Sequence, residues 1–173
     1  MAESDLKARS WPTTSADTPT GRSLFPAQPR TPGDAPYQPA RGARSSVLVA
    51  MSVTSHHDVA IVRNRLRHVL HGCDPDVVQD VELVTTELLA NALEHARPPC
   101  GVTVTGYATE DTALGEVVIE VLDGSRELVP LLDRSVSAPY RGRGMRLVRA
   151  LSSSWGVLES GRTKTVWAAM HLV

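Results

Sequence analysis

The sequence predicts an α+β fold in which helices pack on a mostly antiparallel sheet as a two-layer sandwich. Three observations predict it. Segments with apolar residues at helical spacing and short β-branched runs succeed one another as strand, helix, helix, two strands, helix, two strands. The later strands come in adjacent pairs joined by polar, Gly-containing stretches, the pattern of hairpins. Apolar residues make up 42% of the 173 positions, enough for a sizeable core, although aromatics supply only 4%.

Each element has a local reason. Seven of the twelve prolines precede Arg41, mixed with Ser, Thr, Ala and Gly. Such a segment buries too little apolar surface to offset its chain entropy, so residues 1–44 read as a disordered tail and residues 45–173 as one domain. "SVLVAMSV" is a short β-branched strand. "SHHDVAIVRNRLRHVLHG" places Val59, Val62, Leu66, Val69 and Leu70 on one helical face and stops at Gly72. The next helix, "DPDVVQDVELVTTELLANALEHA", opens with Asp74 as N-cap and Pro75 at the first helical position, and it stops before Pro98-Pro99. "GVTVTGYA" and "GEVVIEVLDGS" form a hairpin around "TEDTALG". The segment "RELVPLLDRSVSAPYRGRG" has mixed polarity and two prolines, as expected of a long loop or lid. "GMRLVRALSSS" is a third helix, and "WGVLES" and "TKTVWAAMHLV" close the domain as a hairpin across "GRT".

Charge and composition exclude several classes. The net charge of -1 supplies no overall attraction to nucleic acid or anionic membrane. The apolar run "VLVAM" is far too short to span a bilayer. Cys73 and Cys100 follow no metal-ligand or redox spacing, so free thiols in a reducing cytoplasm are expected.

The chemistry-bearing residues lie in three places. On the second helix, Val77, Val81, Val84, Leu88 and Ala92 form an apolar stripe. Glu87, Asn91 and His95 recur at i, i+4 and i+8 along its edge, one turn or ~6 Å apart. An amide oxygen is a hard ligand for Mg²⁺, and a carboxylate can take a proton from an attacking hydroxyl. Taken alone, the row reads first as solvated helix-edge residues, and it needs partners from elsewhere in the chain. Asp123 ends the strand "VVIEVLD", where its carboxylate is placed to accept from an exocyclic amine or simply to form an Asp-Gly turn. "RGRGM" puts Gly142 and Gly144 just ahead of a helix, where backbone N–H groups can approach phosphate oxygens. It is the conjunction, in this order, that points to a nucleotide.

From Val47 onward the chain resembles the GHKL ATPase superfamily. Within it the chain is most similar to the small bacterial anti-sigma-factor serine/threonine kinases of the RsbW and SpoIIAB type. "ELLANALEHA" is similar to that family's N box, "LDGSRELVP" and "GRGMRLV" to its two glycine boxes, and "GRTKTVWAAM" to its terminal strand. The resemblance implies a Bergerat sandwich that binds ATP and Mg²⁺, with Asn91 on the metal and Glu87 as general base toward a substrate serine. It further implies that Asp123 accepts from adenine with Thr165 supporting it. Gly142, Arg143, Gly144 and Met145 would line the phosphates, and the segment between Asp123 and Gly142 would be the ATP lid. Phosphoryl transfer asks a protein mainly for positioning and charge stabilisation, which so sparse a set can supply. The implied partners are a sigma factor and an anti-sigma-factor antagonist, and homodimerisation through the sheet or first helix is plausible by resemblance only. In the first glycine box Ser125, Arg126 and Glu127 stand where the family usually has a further glycine.

Three rival readings remain. An ATP-binding interaction module of the same fold would need no base. Nucleic-acid binding rests on "RNRLRH" and "RGRG", yet Arg63 and Arg67 read more simply as a solvated basic face. A metal site from His56, His57, His68 and His71 lacks an accompanying carboxylate or cysteine at ligand spacing.

Overall fold

Eight elements occupy the residues described by the computed structural model, which are 37–95, 100–108, 113–124 and 143–172. They are β1 (Arg44–Ser52), α1 (His56–Val69), α2 (Pro75–His95), β2 (Gly101–Ala108), β3 (Glu116–Asp123), α3 (Arg143–Leu151), β4 (Ser154–Ser160) and β5 (Thr163–His171). The strands form one sheet in the order β1-β2-β3-β5-β4, every neighbouring pair antiparallel. This is the expected α+β sandwich, with element types and order as the hydropathy pattern requires.

Local chemistry sets the helix ends. Ser55 caps α1 in a reciprocal box: its Oγ accepts from the Asp58 N–H at 3.4 Å, and Asp58 Oδ2 accepts from the Ser55 N–H at 3.0 Å. Asp58 also accepts from the Thr54 N–H, and these bonds hold its carboxyl below the usual range. At the start of α2, Asp74 Oδ1 accepts from the Asp76 N–H at 2.8 Å. α3 stops at Leu151, three residues earlier than its pattern predicts. The reason is competition for the serines: Ser153 donates both its N–H and its hydroxyl to the Ala169 carbonyl of β5, each at 2.9 Å.

The helices cover one face of the sheet. Val104, Ile119, Val121, Val157, Val166 and Ala168 from the strands meet Val62, Leu66, Val84, Leu88, Leu89 and Val148 from the helices in one buried cluster. A bulge in β1 leaves Leu48 unmatched between Val47 and Val49, and it packs on this same core. Gly106, paired with Ser46, leaves room for it, because a Cβ there would meet the side-chain ends of Leu48 and Leu114.

Two expectations are refined here. Arg63 and Arg67 do lie on an exposed face of α1, but both turn to one carboxylate. Arg67 grips the buried Glu82 of α2 with two charge-assisted bonds of 2.7 and 2.6 Å, and Arg63 lies 3.6 Å from the same carboxylate. The pattern of the α1 sequence alone could not show this, because Glu82 lies fifteen positions beyond Arg67 on another helix. Tyr37, which falls within the expected tail, packs on the outer sheet face beside Tyr107 and Trp167, at ring-centroid distances of 5.4 and 6.3 Å. Its hydroxyl donates to Glu116. Residues 1–36 lie outside the described residues.

The outer face carries a second, smaller cluster of Val118, Trp167 and Ala169. Among them Glu120 is pushed above the ordinary carboxylate range by burial, and Tyr107 is raised by burial and then by the Glu120 charge. Because the folded chain holds the Glu120 proton to higher pH than the unfolded chain does, stability falls as pH rises through that raised value. Glu120→Gln is therefore expected to raise the Tm at pH 7, with the gain shrinking as pH drops below the carboxylate range. Thermal denaturation of both chains across that range checks it.

Candidate functional site

α2 turns its buried stripe of Val81, Val84, Leu88 and Ala92 to the sheet, which leaves Glu87 and Asn91 half-buried at the stripe's edge. The two residues meet different surroundings. Glu87 lies against the first turn of α3: a Cβ at Gly144 would collide with its carboxylate, whose Cδ would be 3.3 Å away. A side chain at position 144 would therefore oblige the end of Glu87 to move aside. The first-turn N–H groups of a helix have no partner within the helix, and a negative charge beside them is favoured. Asn91, one turn further on, has a buried Nδ2 with no hydrogen-bond partner among the described residues. A buried amide donor left this way is costly and is rarely retained without a use.

Met145, the third residue of α3, is 2% exposed and belongs to the main core. Its side chain is committed to packing, so only its backbone is available to an anion. Arg143 opens α3, and His95 is the last residue of α2. Gly142 and the expected lid lie outside the described residues.

The opposite end of the site is built by the sheet. Asp123 ends β3 with its side chain 2% exposed, on the helix-facing side with Ile119 and Val121. The β3–β5 register sets it across from Lys164, not Thr165. Lys164 Nζ lies 3.1 Å from Asp123 Oδ2, and the lysine side chain is itself only 4% exposed. Thr165 pairs with Leu122 and falls on the outer face, because side chains alternate along a strand. Across β4, the register places Glu159 opposite Lys164. Cys100, just ahead of β2, completes the surroundings: burial and then the Asp123 charge push its thiol up to about 11.

Lys164 and Cys100 are the residues that sequence reading missed. Counting back from Val166, Ala168 and Met170 in steps of two would have turned Lys164 inward. The signal was masked because Trp167 and Ala169, on the alternate positions, are apolar as well and are buried on the outer face.

A family model for the histidine kinase-like ATPase domain matches residues 53–170. The chain belongs to this family. No curated protein matches the chain. The matched span begins just after β1 and runs through most of β5, so the three helices and four of the five antiparallel strands belong to the family's ATP-binding sandwich, with β1 extending its sheet. Domains of the histidine kinase-like ATPase type bind ATP, in general with Mg²⁺, and the residues present fit that pair. Asn91 keeps a buried Nδ2 donor unpaired among the described residues, suited to a phosphate oxygen, its Oδ1 being the atom of the same amide that a metal would take, and the start of α3 offers backbone donors at a glycine. Asn91 would hold the metal, which when bound would offset phosphate charge. Among the described residues, no three His, Cys, Asp or Glu side chains cluster as a metal site of their own. His71 instead sets its Nδ1 2.9 Å from the His68 carbonyl at the end of α1.

Two outcomes follow from this geometry. Gly144→Ala is expected to destabilise the domain by displacing the Glu87 carboxylate, and the loss should largely vanish in a Glu87→Ala background. A double-mutant cycle by urea denaturation reads that coupling. Cys100, studied in a Cys73→Ser chain, should alkylate slowly at neutral pH, with a rate that climbs until the pH approaches about 11. The pH dependence of iodoacetamide labelling measures it.

Proposed function

We propose that this ATPase-family domain is an ATP- and Mg²⁺-dependent serine/threonine protein kinase of the anti-sigma-factor type. In this reading it phosphorylates an anti-sigma-factor antagonist and sequesters a sigma factor, in the cytoplasm. The observation that supports it best is the Glu87 carboxylate lying at Gly144 in the first turn of α3. In this reading the carboxylate acts as the base beside the backbone donors to which a phosphate would bind.

The chemistry asks little more of the chain. A substrate serine hydroxyl gives its proton to Glu87 as its oxygen bonds to the γ-phosphorus. The bond from that phosphorus to the bridging oxygen breaks, ADP departs, and phosphoserine forms. α3 N–H groups would bind phosphate oxygens, Asn91 would hold Mg²⁺, and Asp123 would accept from the adenine amino group. Among the described residues no helix is long and apolar enough to cross a membrane.

A second reading is favoured by the same contact. A carboxylate beside a helix N-terminus stabilises that helix whether or not it ever takes a proton. The chain would then be an ATP-binding interaction module that captures its partner without turnover.

Phosphotransfer from γ-labelled ATP to candidate antagonists separates the two. The kinase reading expects wild type to transfer phosphate, Glu87→Ala to bind ATP with transfer lowered roughly 100-fold or more, and Asn91→Ala to lose Mg²⁺-dependent ATP affinity. ATP binding and sigma-factor capture without transfer in wild type would establish the silent module.

A further inference from the structure

The residue facing the base-end carboxylate is a lysine. Lys164 and Asp123 are directly opposed in the β3–β5 register, 3.1 Å apart, with side chains only 4% and 2% exposed. Thr165, to which the resemblance assigns support of Asp123, sits at the neighbouring register position on the other face of the sheet. Whatever Thr165 does there, it is not placed to help Asp123 read a base.

We propose that Lys164 reads the base directly, its ammonium donating to purine N1 while Asp123 accepts from the adjacent 6-amino group. The inference rests on the ATP-binding reading above and deepens it. The pairing is chemical complementarity along one edge. Adenine presents an acceptor, N1, next to a donor, the amino group. The strand ends present a donor, the ammonium, next to an acceptor, the carboxylate.

The alternative role is purely structural, with Lys164 neutralising two carboxylates. Asp123 flanks it in β3, and Glu159 stands opposite in β4. Burying an ammonium is costly and neutralisation alone is a poor return, because an apolar residue or a hydroxyl across from a single carboxylate avoids that cost. The two roles differ in one measurable respect. A structural lysine is indifferent to the atom at position 1 of the purine.

1-Deaza-ATP keeps the 6-amino group and replaces N1 with a C–H. Titration calorimetry with the full chain compares it with ATP, in wild type and in Lys164→Met. A direct charged hydrogen bond predicts that wild type binds 1-deaza-ATP roughly tenfold or more weakly than ATP. In Lys164→Met, ATP binding should weaken and the two nucleotides should come within about threefold of each other. Equal binding of the two nucleotides by wild type overturns the proposal, and this arm needs no variant to fold. A preference for ATP that persists unchanged in Lys164→Met also overturns it, since N1 would then be read by something else. Failure of wild type to bind either nucleotide would remove the ATP-binding reading itself, an outcome distinct from equal binding.

Discussion

The Asp123–Lys164 pair is the constraint around which the sheet end of the candidate site is arranged. Two opposite charges lie inside the helix-facing side of the sheet, where neither is stable alone. Separating such a pair by removing one partner typically costs about 3–5 kcal/mol, because it leaves an uncompensated charge in a poorly polarisable interior. The pair therefore requires that β3 and β5 hold one register, with Val121 against Val166 and Asp123 against Lys164. A slip of β5 by one residue would turn Lys164 to the outer face and bring Thr165 inward, parting it from Asp123 and from every apolar contact that Val166 and Ala168 make further along the strand. Core packing and site geometry thus select the same register.

α2 carries that geometry to the other end of the site. Its stripe packs on the sheet, Glu82 on one side ties it to α1 through Arg67, and Glu87 on another presses on the start of α3. Thr85, fully buried, returns its hydroxyl to the Val81 carbonyl at 2.7 Å, so the helix buries a polar group without leaving it unpaired. Asn91 stands in contrast, with a buried amide donor that the described residues do not satisfy. One helix thus shows both treatments of a buried polar group. One is closed within the backbone, and the other is left open among the described residues.

Much of this was legible in the chain. Helix and strand periodicity specified the element order. Asp74, Pro75 and Gly72 marked helix boundaries, and the i, i+4 spacing of Glu87 and Asn91 placed both on one edge of α2. Each of these depends on residues a few positions apart, where the repeat of the backbone alone decides what is adjacent. Other contacts depend on which elements meet in space. Arg67 and Glu82 read as surface charges until α1 and α2 are packed together. Tyr37 reads as tail until an outer sheet face exists for it to cover.

The terminal strand shows where the division falls. Its sequence determined that "TKTVWAAM" is extended and that alternate residues take opposite faces, because a strand repeats every two residues. It did not determine which set faces the helices, since Trp167 and Ala169 are as apolar as Val166 and Ala168. That choice belongs to the tertiary structure. The outer face has a cover of its own in Tyr37, Tyr107 and Leu158, and the inner face must match Ile119 and Val121 across the sheet. With the choice made, Lys164 rather than Thr165 stands beside Asp123. Local periodicity specifies alternation, but only packing between distant segments assigns its phase.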